Sequence, residues 1–290
     1  MKKPALTAAA AVLIAGCGNT GGPAESNAEE AVANVVWAVG DGADGSRQGK
    51  QVARMIRRDR PLARFLYLGD VYERGTASEF RRNYSPVFGA LNGITAPTPG
   101  NHEWGNRRMG YFPYWRRAKG HKQPAYYRFK LAGWEILSLN SETSHRAGSR
   151  QQRWLKRAVD EQPGTCRLAF MHRPYMNAGL HGDTRSLGSV WRTLRGHVRL
   201  VLAGHDHNMQ RFKRRDGMNQ YVSGAGGRER YAVDKSDRRL AFGRGDRYGA
   251  LRIQLFARSA KLEFRSATGA VLDKSEVRCR PLNDGLPPPP

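Results

Sequence analysis

Acidic residues are scarce in this chain. Its 290 residues hold 25 Asp and Glu against 49 Lys and Arg, a formal net charge of +24. Cysteine is scarcer still: three residues cannot staple a disulfide-framework fold. There is no internal repeat, which excludes a solenoid or a propeller. One apolar run of any length exists, near the N-terminus, and a bundle of membrane helices is thereby excluded. What remains is ordinary: 39% hydrophobic residues, with six Trp, eleven Tyr and ten Phe. That is enough for one globular domain of usual size, and it excludes a disordered or collagen-like chain.

Arg supplies 38 of the 49 basic residues. Its planar fork binds two phosphate oxygens at once, which Lys cannot do. The excess fits an anionic partner: a phosphate ester, nucleic acid, anionic lipid or wall polymer. It fits equally a basic surface with no single partner, because the Arg residues are scattered.

The first residues read as a targeting segment. Lys2 and Lys3 precede the apolar stretch Ala5 to Ala15, which ends Leu13-Ile14-Ala15-Gly16-Cys17. Small residues before a cysteine look like a bacterial lipobox. Residues 1–16 are then a lipoprotein signal peptide and Cys17 is the lipidated N-terminus. Residues 17–33 read as a flexible tether, 34–280 as the folded domain and 281–290 as a disordered Pro-rich tail. The expected location is extracytoplasmic, with the chain lipid-anchored to the bacterial membrane through Cys17. Disulfides are allowed there, and Cys166 and Cys279, each at the end of a predicted strand, are expected to pair.

Four short apolar runs stop at glycine, aspartate or histidine. Val35 to Val39 stops at Gly40-Asp41, Arg64 to Leu68 at Gly69-Asp70, Leu168 to Met171 at His172, and Val198 to Ala203 at Gly204-His205. Such runs are what buried strands look like. Amphipathic patterns lie between them, at Val52, Met55 and Ile56, at Trp154, Leu155, Ala158 and Val159, and at Val190, Trp191 and Leu194. The alternation predicts an α/β core. A hairpin is predicted around Ala132-Gly133, and the alternation over 250–265 predicts further antiparallel strands.

In open α/β sheets the ligand crevice lies beyond the C-terminal ends of the strands. The residues expected to converge there are Asp41, Asp70, Asn101 with His102, His172, and His205 with His207. Singly, each has a plain structural role, as a turn, cap or hydrogen-bonded histidine. Together, carboxylate, amide carbonyl and imidazole suit Zn, Mn or Fe. The absence of cysteine among them argues against a structural zinc site.

Gly40-Asp41, Gly69-Asp70, Gly100-Asn101-His102-Glu103, His172 and Gly204-His205-Asp206-His207 resemble, in order and spacing, the signature blocks of the calcineurin-like metallophosphoesterases. The bacterial relatives of purple acid phosphatases look closest. The resemblance implies a four-layer α/β/β/α sandwich holding two divalent or trivalent metal ions (Fe, Mn or Zn). By position, Asp70 bridges the metals, Asp41 and His207 hold the first, and Asn101, His172 and His205 hold the second. His102 faces the substrate as proton donor or phosphate-orienting group.

The chain departs from the family in its first block, where Ala43 stands at the position of a common histidine ligand. Purple acid phosphatases place a tyrosine three residues after the bridging aspartate. Here that position is Glu73, and Tyr72 comes one residue early. Tyr72, Glu73, Asp44 or water is left to complete the first site. Arg74 matches a phosphate-contacting arginine of phosphoprotein phosphatases, or is a surface charge. Tyr175 with His181 to Arg185 reads as a surface loop or a substrate contact, and Gly224 to Gly227 as a tight turn. His121, His145 and His197 match no block.

Two cations about 3.5–4 Å apart hold a bridging water as hydroxide, which attacks phosphorus in line. The expected function is therefore phosphomonoester hydrolysis. The alternatives are a phosphodiesterase or nuclease, in which nucleic acid enters as substrate, and a lipid-anchored polyanion-binding protein on an inactive scaffold.

Overall fold

A computed structural model describes residues 34–279. The signal segment, Cys17, the tether through residue 33 and the Pro-rich tail lie outside the described residues. The strands are β1 (Asn34–Val39), β2 (Leu62–Tyr67), β3 (Thr95–Pro97), β4 (Tyr127–Leu131), β5 (Trp134–Ser138), β6 (Arg167–Phe170) and β7 (Leu200–Ala203). They continue as β8 (Met209–Phe212), β9 (Asn219–Ser223), β10 (Leu240–Arg244), β11 (Gly249–Leu255), β12 (Ser259–Ser266) and β13 (Val271–Arg278). One sheet has the order β13-β12-β11-β1-β2-β3 and the other β10-β8-β9-β7-β6-β5-β4. Strands β1 to β3 are mutually parallel, as are β5, β6, β7 and β9; the remainder run antiparallel to their neighbours.

Each central strand is buried on both faces, which is why its sequence is apolar throughout. In β1, Val36 and Ala38 pack between the two sheets with Leu168, Leu202 and Ile253. Val35, Trp37 and Val39 face the other way, toward helix α1 (Arg47–Arg58). That helix is capped by Ser46, whose Oγ accepts from the Gly49 amide at 3.0 Å, and it buries Val52, Ala53 and Ile56. On the far side, helices Arg150–Asp160 and Gly188–Leu194 bury Leu155, Val159, Val190 and Leu194 on the second sheet. The result is the expected four-layer α/β/β/α sandwich.

The predicted hairpin is present, with Ala132 and Gly133 both left-handed between β4 and β5. Cys166 and Cys279 are disulfide-bonded. The bond joins the start of β6 to the residue after β13, tying the two sheets at the edge away from the strand C-termini.

One region had no sequence expectation. Residues 77–94 form a single winding segment that changes pitch three times, through Ala77–Glu79, a wide turn at Phe80–Tyr84, Ser85–Phe88 and a tight turn at Gly89–Ile94. A changing pitch erases the 3.6-residue period that a sequence reading depends on. The segment is held by Phe80, Tyr84 and Phe88, which pack with Tyr67, Tyr111 and Trp115.

Candidate metal centre

The candidate residues sit where the strands of both sheets end. Asp41 follows β1, Asp70 follows β2, the one-turn helix Asn101–Trp104 follows β3, and His172 and His205 follow β6 and β7. Three of them lie in the left-handed backbone region: Asp41 at φ 59°, Asp70 at 69° and His205 at 71°. For a residue with a Cβ this conformation costs about 1–3 kcal/mol, a strain characteristic of functional sites. It turns the chain sharply, so that the side chain projects along the sheet edge toward its counterparts. Glycine clears the space between blocks: a Cβ on Gly100 would lie 2.0 Å from Asp70 Oδ1.

Around His172 the donor atoms crowd. Its Nε2 lies 2.9 Å from Asn101 Oδ1, 3.1 Å from His205 Nδ1 and 3.4 Å from Asp70 Oδ1. Its Nδ1 is 2.8 Å from the Leu68 carbonyl, which requires a proton on that nitrogen. When the ring is neutral, Nε2 therefore points a lone pair at two oxygens that are acceptors as well. Lone pairs meeting at a buried point call for a cation, and Asp70, His172 and His205 each offer a ligand atom within 4.8 Å of the others.

The titration behaviour reports the same need. Burial would lower the His172 pKa, but the Asp70 carboxylate overrides it and raises the ring to about 10. Burial would raise Asp70, yet His172 and His102 hold it well below the usual carboxylate range. His205 is pushed far down by burial, His172 and Arg173. Burial drives Asp41 well above its ordinary value. The donor set fits a bound cation at this position.

Of the residues left to complete the first site, Tyr72 lies beside two of its expected ligands. Tyr72 Oη is 3.1 Å from Asp41 Oδ1 and 2.9 Å from His207 Nε2, and Asp41 and His207 are 3.8 Å apart. Tyr72 thus reaches the position despite coming one residue early. The other two side chains left open are engaged elsewhere: Glu73 pairs with Arg228 at 2.7 Å, and Asp44 accepts from the Ser46 amide at 3.0 Å. Ala43 contributes its backbone, its carbonyl accepting from the Tyr72 amide at 3.1 Å.

His102 stands at the mouth. Its Nδ1 is held by the Glu73 carbonyl, and its Nε2 is 3.7 Å from Asp70 Oδ2. The Arg74 side chain has no hydrogen bond or ion pair to this cluster among the described residues. Two other arginines flank it. Arg173, fixed by Glu142 at 2.9 Å, places Nη1 2.9 Å from His205 Nε2. Arg228 lies over the Tyr72 ring at 4.7 Å.

Two acids hold the site together without belonging to it. Buried Glu103 accepts from the amides of Gly100, Asp70 and Val71 at 2.9, 3.2 and 3.1 Å, locking the β2 turn to the β3 turn. Burial, then the nearby Asp70 charge, pushes its carboxyl up to about 8. Buried Asp206 accepts from Asn177, from the His181 amide and from Asn208, and so fixes the 177–181 loop. That loop brings the His181 ring 4.2 Å from the His205 ring, at the site rather than on a remote surface. The sequence carried a signal for Asp206, since it stands between two candidate ligands. Arg173 had none beyond its place after His172. Gly224 to Gly227 carries the chain from β9 past β1, with the Arg228 amide donating to the Asp41 carbonyl at 2.9 Å.

Paired carboxylates and imidazoles at the edge of a double-sheet sandwich define a metal-dependent hydrolase scaffold. The family model for calcineurin-like phosphoesterases matches residues 30–209, and the chain belongs to that family. Among curated relatives, it is 28% identical over 159 residues to Probable purple acid phosphatase 20 of Arabidopsis thaliana, covering 45% of this chain and 37% of that protein. It is 28% identical over 140 residues to Tartrate-resistant acid phosphatase type 5 of Rattus norvegicus, covering 45% and 43%. The matches thus span less than half the length of these relatives. Purple acid phosphatase PPD1 from yellow lupin superposes with a TM-score of 0.72 over 84% of this chain and 53% of that one. GAP50 of Plasmodium superposes at 0.69 over 86% and 89%. Both are 14% identical, so the likeness is one of fold.

Proposed function

We propose that the protein hydrolyses phosphate monoesters at a dinuclear metal centre. The carrying observation is the lone-pair crowding of Asp70, Asn101, His172 and His205 beside the second group Asp41, Tyr72 and His207. Asp70, 3.4 Å from His172 Nε2 and close enough for its charge to act on Asp41, would serve both ions. Asp41, His207 and Tyr72 would hold the first ion, and Asn101, His172 and His205 the second. Fe, Mn or Zn bound there supplies Lewis acidity, which acidifies the attacking water and neutralises charge on the phosphoryl oxygens.

The chain supplies the rest. His102, held through Nδ1 by the Glu73 carbonyl, directs Nε2 into the cleft and protonates the departing alkoxide, a step worth about 10²–10⁴-fold. Arg173 and Arg228 stand on opposite sides of the cluster, where planar donors orient phosphoryl oxygens. No serine or cysteine nucleophile is required. The extracytoplasmic, lipid-anchored location belongs to the same proposal, and the Cys166–Cys279 bond supports an oxidising compartment.

Hydrolysis of p-nitrophenyl phosphate and bis-p-nitrophenyl phosphate, with and without added Mn, Zn or Fe, tests the reading. Metal-dependent turnover of the monoester, lost in Asp70→Asn and strongly reduced in His102→Ala, is the expected result. Preference for the diester would assign a phosphodiesterase instead. A folded chain that turns over neither ester with any of these metals would overturn the proposal in favour of a binding protein.

A further inference from the structure

The metal cleft lies at one edge of the sandwich; the opposite edge is formed by the turns at the N-terminal ends of β1, β2, β6, β7 and β9. Cations collect there. The turn from α1 into β2 presents exposed Arg57, Arg58 and Arg60. The β8–β9 turn presents exposed Lys213, Arg214 and Arg215. Exposed Arg258 sits in the β11–β12 turn, and exposed Arg278 ends β13. The acids of this edge are already engaged: Asp59 by Trp37 and Arg252, Asp216 by Trp191, Glu276 by Arg278, Asp160 by Lys156 and Glu161 by Arg128. Between the two sheets the edge opens into a cavity of about 310 Å³, lined by Arg199, Arg214, Arg278, Asn219 and Glu276.

The chain also enters the domain here. Asn34 starts β1 on this edge, paired with Leu255, so the segment that leads from Cys17 joins the fold among these cations. We propose that this edge docks on an anionic phospholipid bilayer, with the Arg199–Arg214–Arg278 cavity receiving a headgroup phosphate. The metal cleft then faces away from the membrane, open to esters in the aqueous phase. Charge complementarity and the point where the tether attaches select a bilayer over another polyanion. A nucleic acid would use the charge but not the attachment point. The proposal draws on the Cys17 reading only for that attachment, and its test removes the acyl chain.

The full chain carrying Cys17→Ser is sedimented with vesicles of phosphatidylcholine alone and with vesicles of equal parts phosphatidylglycerol and phosphatidylcholine. Binding to the second and not the first is expected. Reversing Arg214, Arg215 and Arg258 to Glu removes three surface cations and should weaken that binding on the order of a hundredfold. Reversing Arg57, Arg58 and Arg60 to Glu, in a separate turn, should do the same, with a thermal melt showing either variant folded. Reversing Arg81, Arg82 and Arg108 to Glu changes net charge equally but lies off this edge, and should change binding little. Equal losses in all three variants would reduce the effect to net charge and overturn the assignment. So would edge-dependent binding to duplex DNA tighter than binding to the vesicles. Ester hydrolysis is not read in this experiment, so its failure leaves the catalytic proposal standing.

Discussion

Single side chains decide whether the cluster can form. Glu103 is the first test, because three backbone amides donate to it and bond to no other acceptor among the described residues. Glu103→Ala strands buried amides at about 1–3 kcal/mol each and should destabilise the fold by about 3 kcal/mol or more, as urea denaturation would measure. Metal uptake should fall with it, since Asp70 loses its turn. Tyr72→Phe keeps the ring and removes the oxygen, so its cost to stability is only about 0.5–1.5 kcal/mol. Loaded with ferric iron, the native chain should show a visible tyrosinate band that Tyr72→Phe lacks. The metal-free protein should also respond to pH with a definite sign. Folded His172 and Glu103 bind their protons more tightly than the unfolded chain does, with pKa values raised to about 10 and about 8. Their stabilisation is fully present below the unfolded values and drains away as pH rises. Glu103 loses it between about pH 4.3 and its folded pKa, and His172 between about pH 6.5 and its own. Buried His205 and His207, whose pKa values are lowered, oppose this trend until pH passes the unfolded histidine value, so thermal melts of the apo chain should fall from about pH 7 to 9, and added metal should flatten the slope. At this scale the sequence was informative about which side chains converge and silent about spacing: Tyr72 lies one position early, yet the turn after Asp70 carries its hydroxyl to Asp41 and His207.

Elements explain which parts of the fold were legible. Strands β1, β2, β6 and β7 announce themselves because burial on both faces demands unbroken apolar runs, and glycine marks where each must stop. Helix α1 is equally plain, and Ser46→Ala should cost it about 1 kcal/mol by calorimetry. The 77–94 segment was illegible because its changing pitch leaves aromatic residues at no fixed interval. The 177–183 loop was illegible for another reason: its conformation is set by a distant acid. Asp206 grips it from the turn after β7, and Arg239 secures its far end by pairing with Asp183 at 2.7 Å. Asp206→Ala should loosen this loop beside His205. Steady-state kinetics should then show KM rising several-fold with a smaller change in kcat, the signature of lost binding rather than lost chemistry.

For the molecule as a whole, two sheets stacked face to face bring their strand ends together at the cleft and are bonded covalently at the other end. Reducing the Cys166–Cys279 bond should lower stability by about 2–5 kcal/mol in guanidinium titrations, because it frees a long loop in the unfolded chain. The bond has a second effect. Residues between Cys166 and Cys279 include the 226–239 stretch, where Arg228, Arg230, Lys235 and Arg238 offer trypsin its cleavage points. A chain nicked there would hold both fragments together, with Asp41, Asp70, His172, His205 and His207 on the longer one. On a non-reducing gel it would migrate as one species, and it would separate into two only with thiol present. A single proteolytic cut in this stretch would leave the protein in one piece.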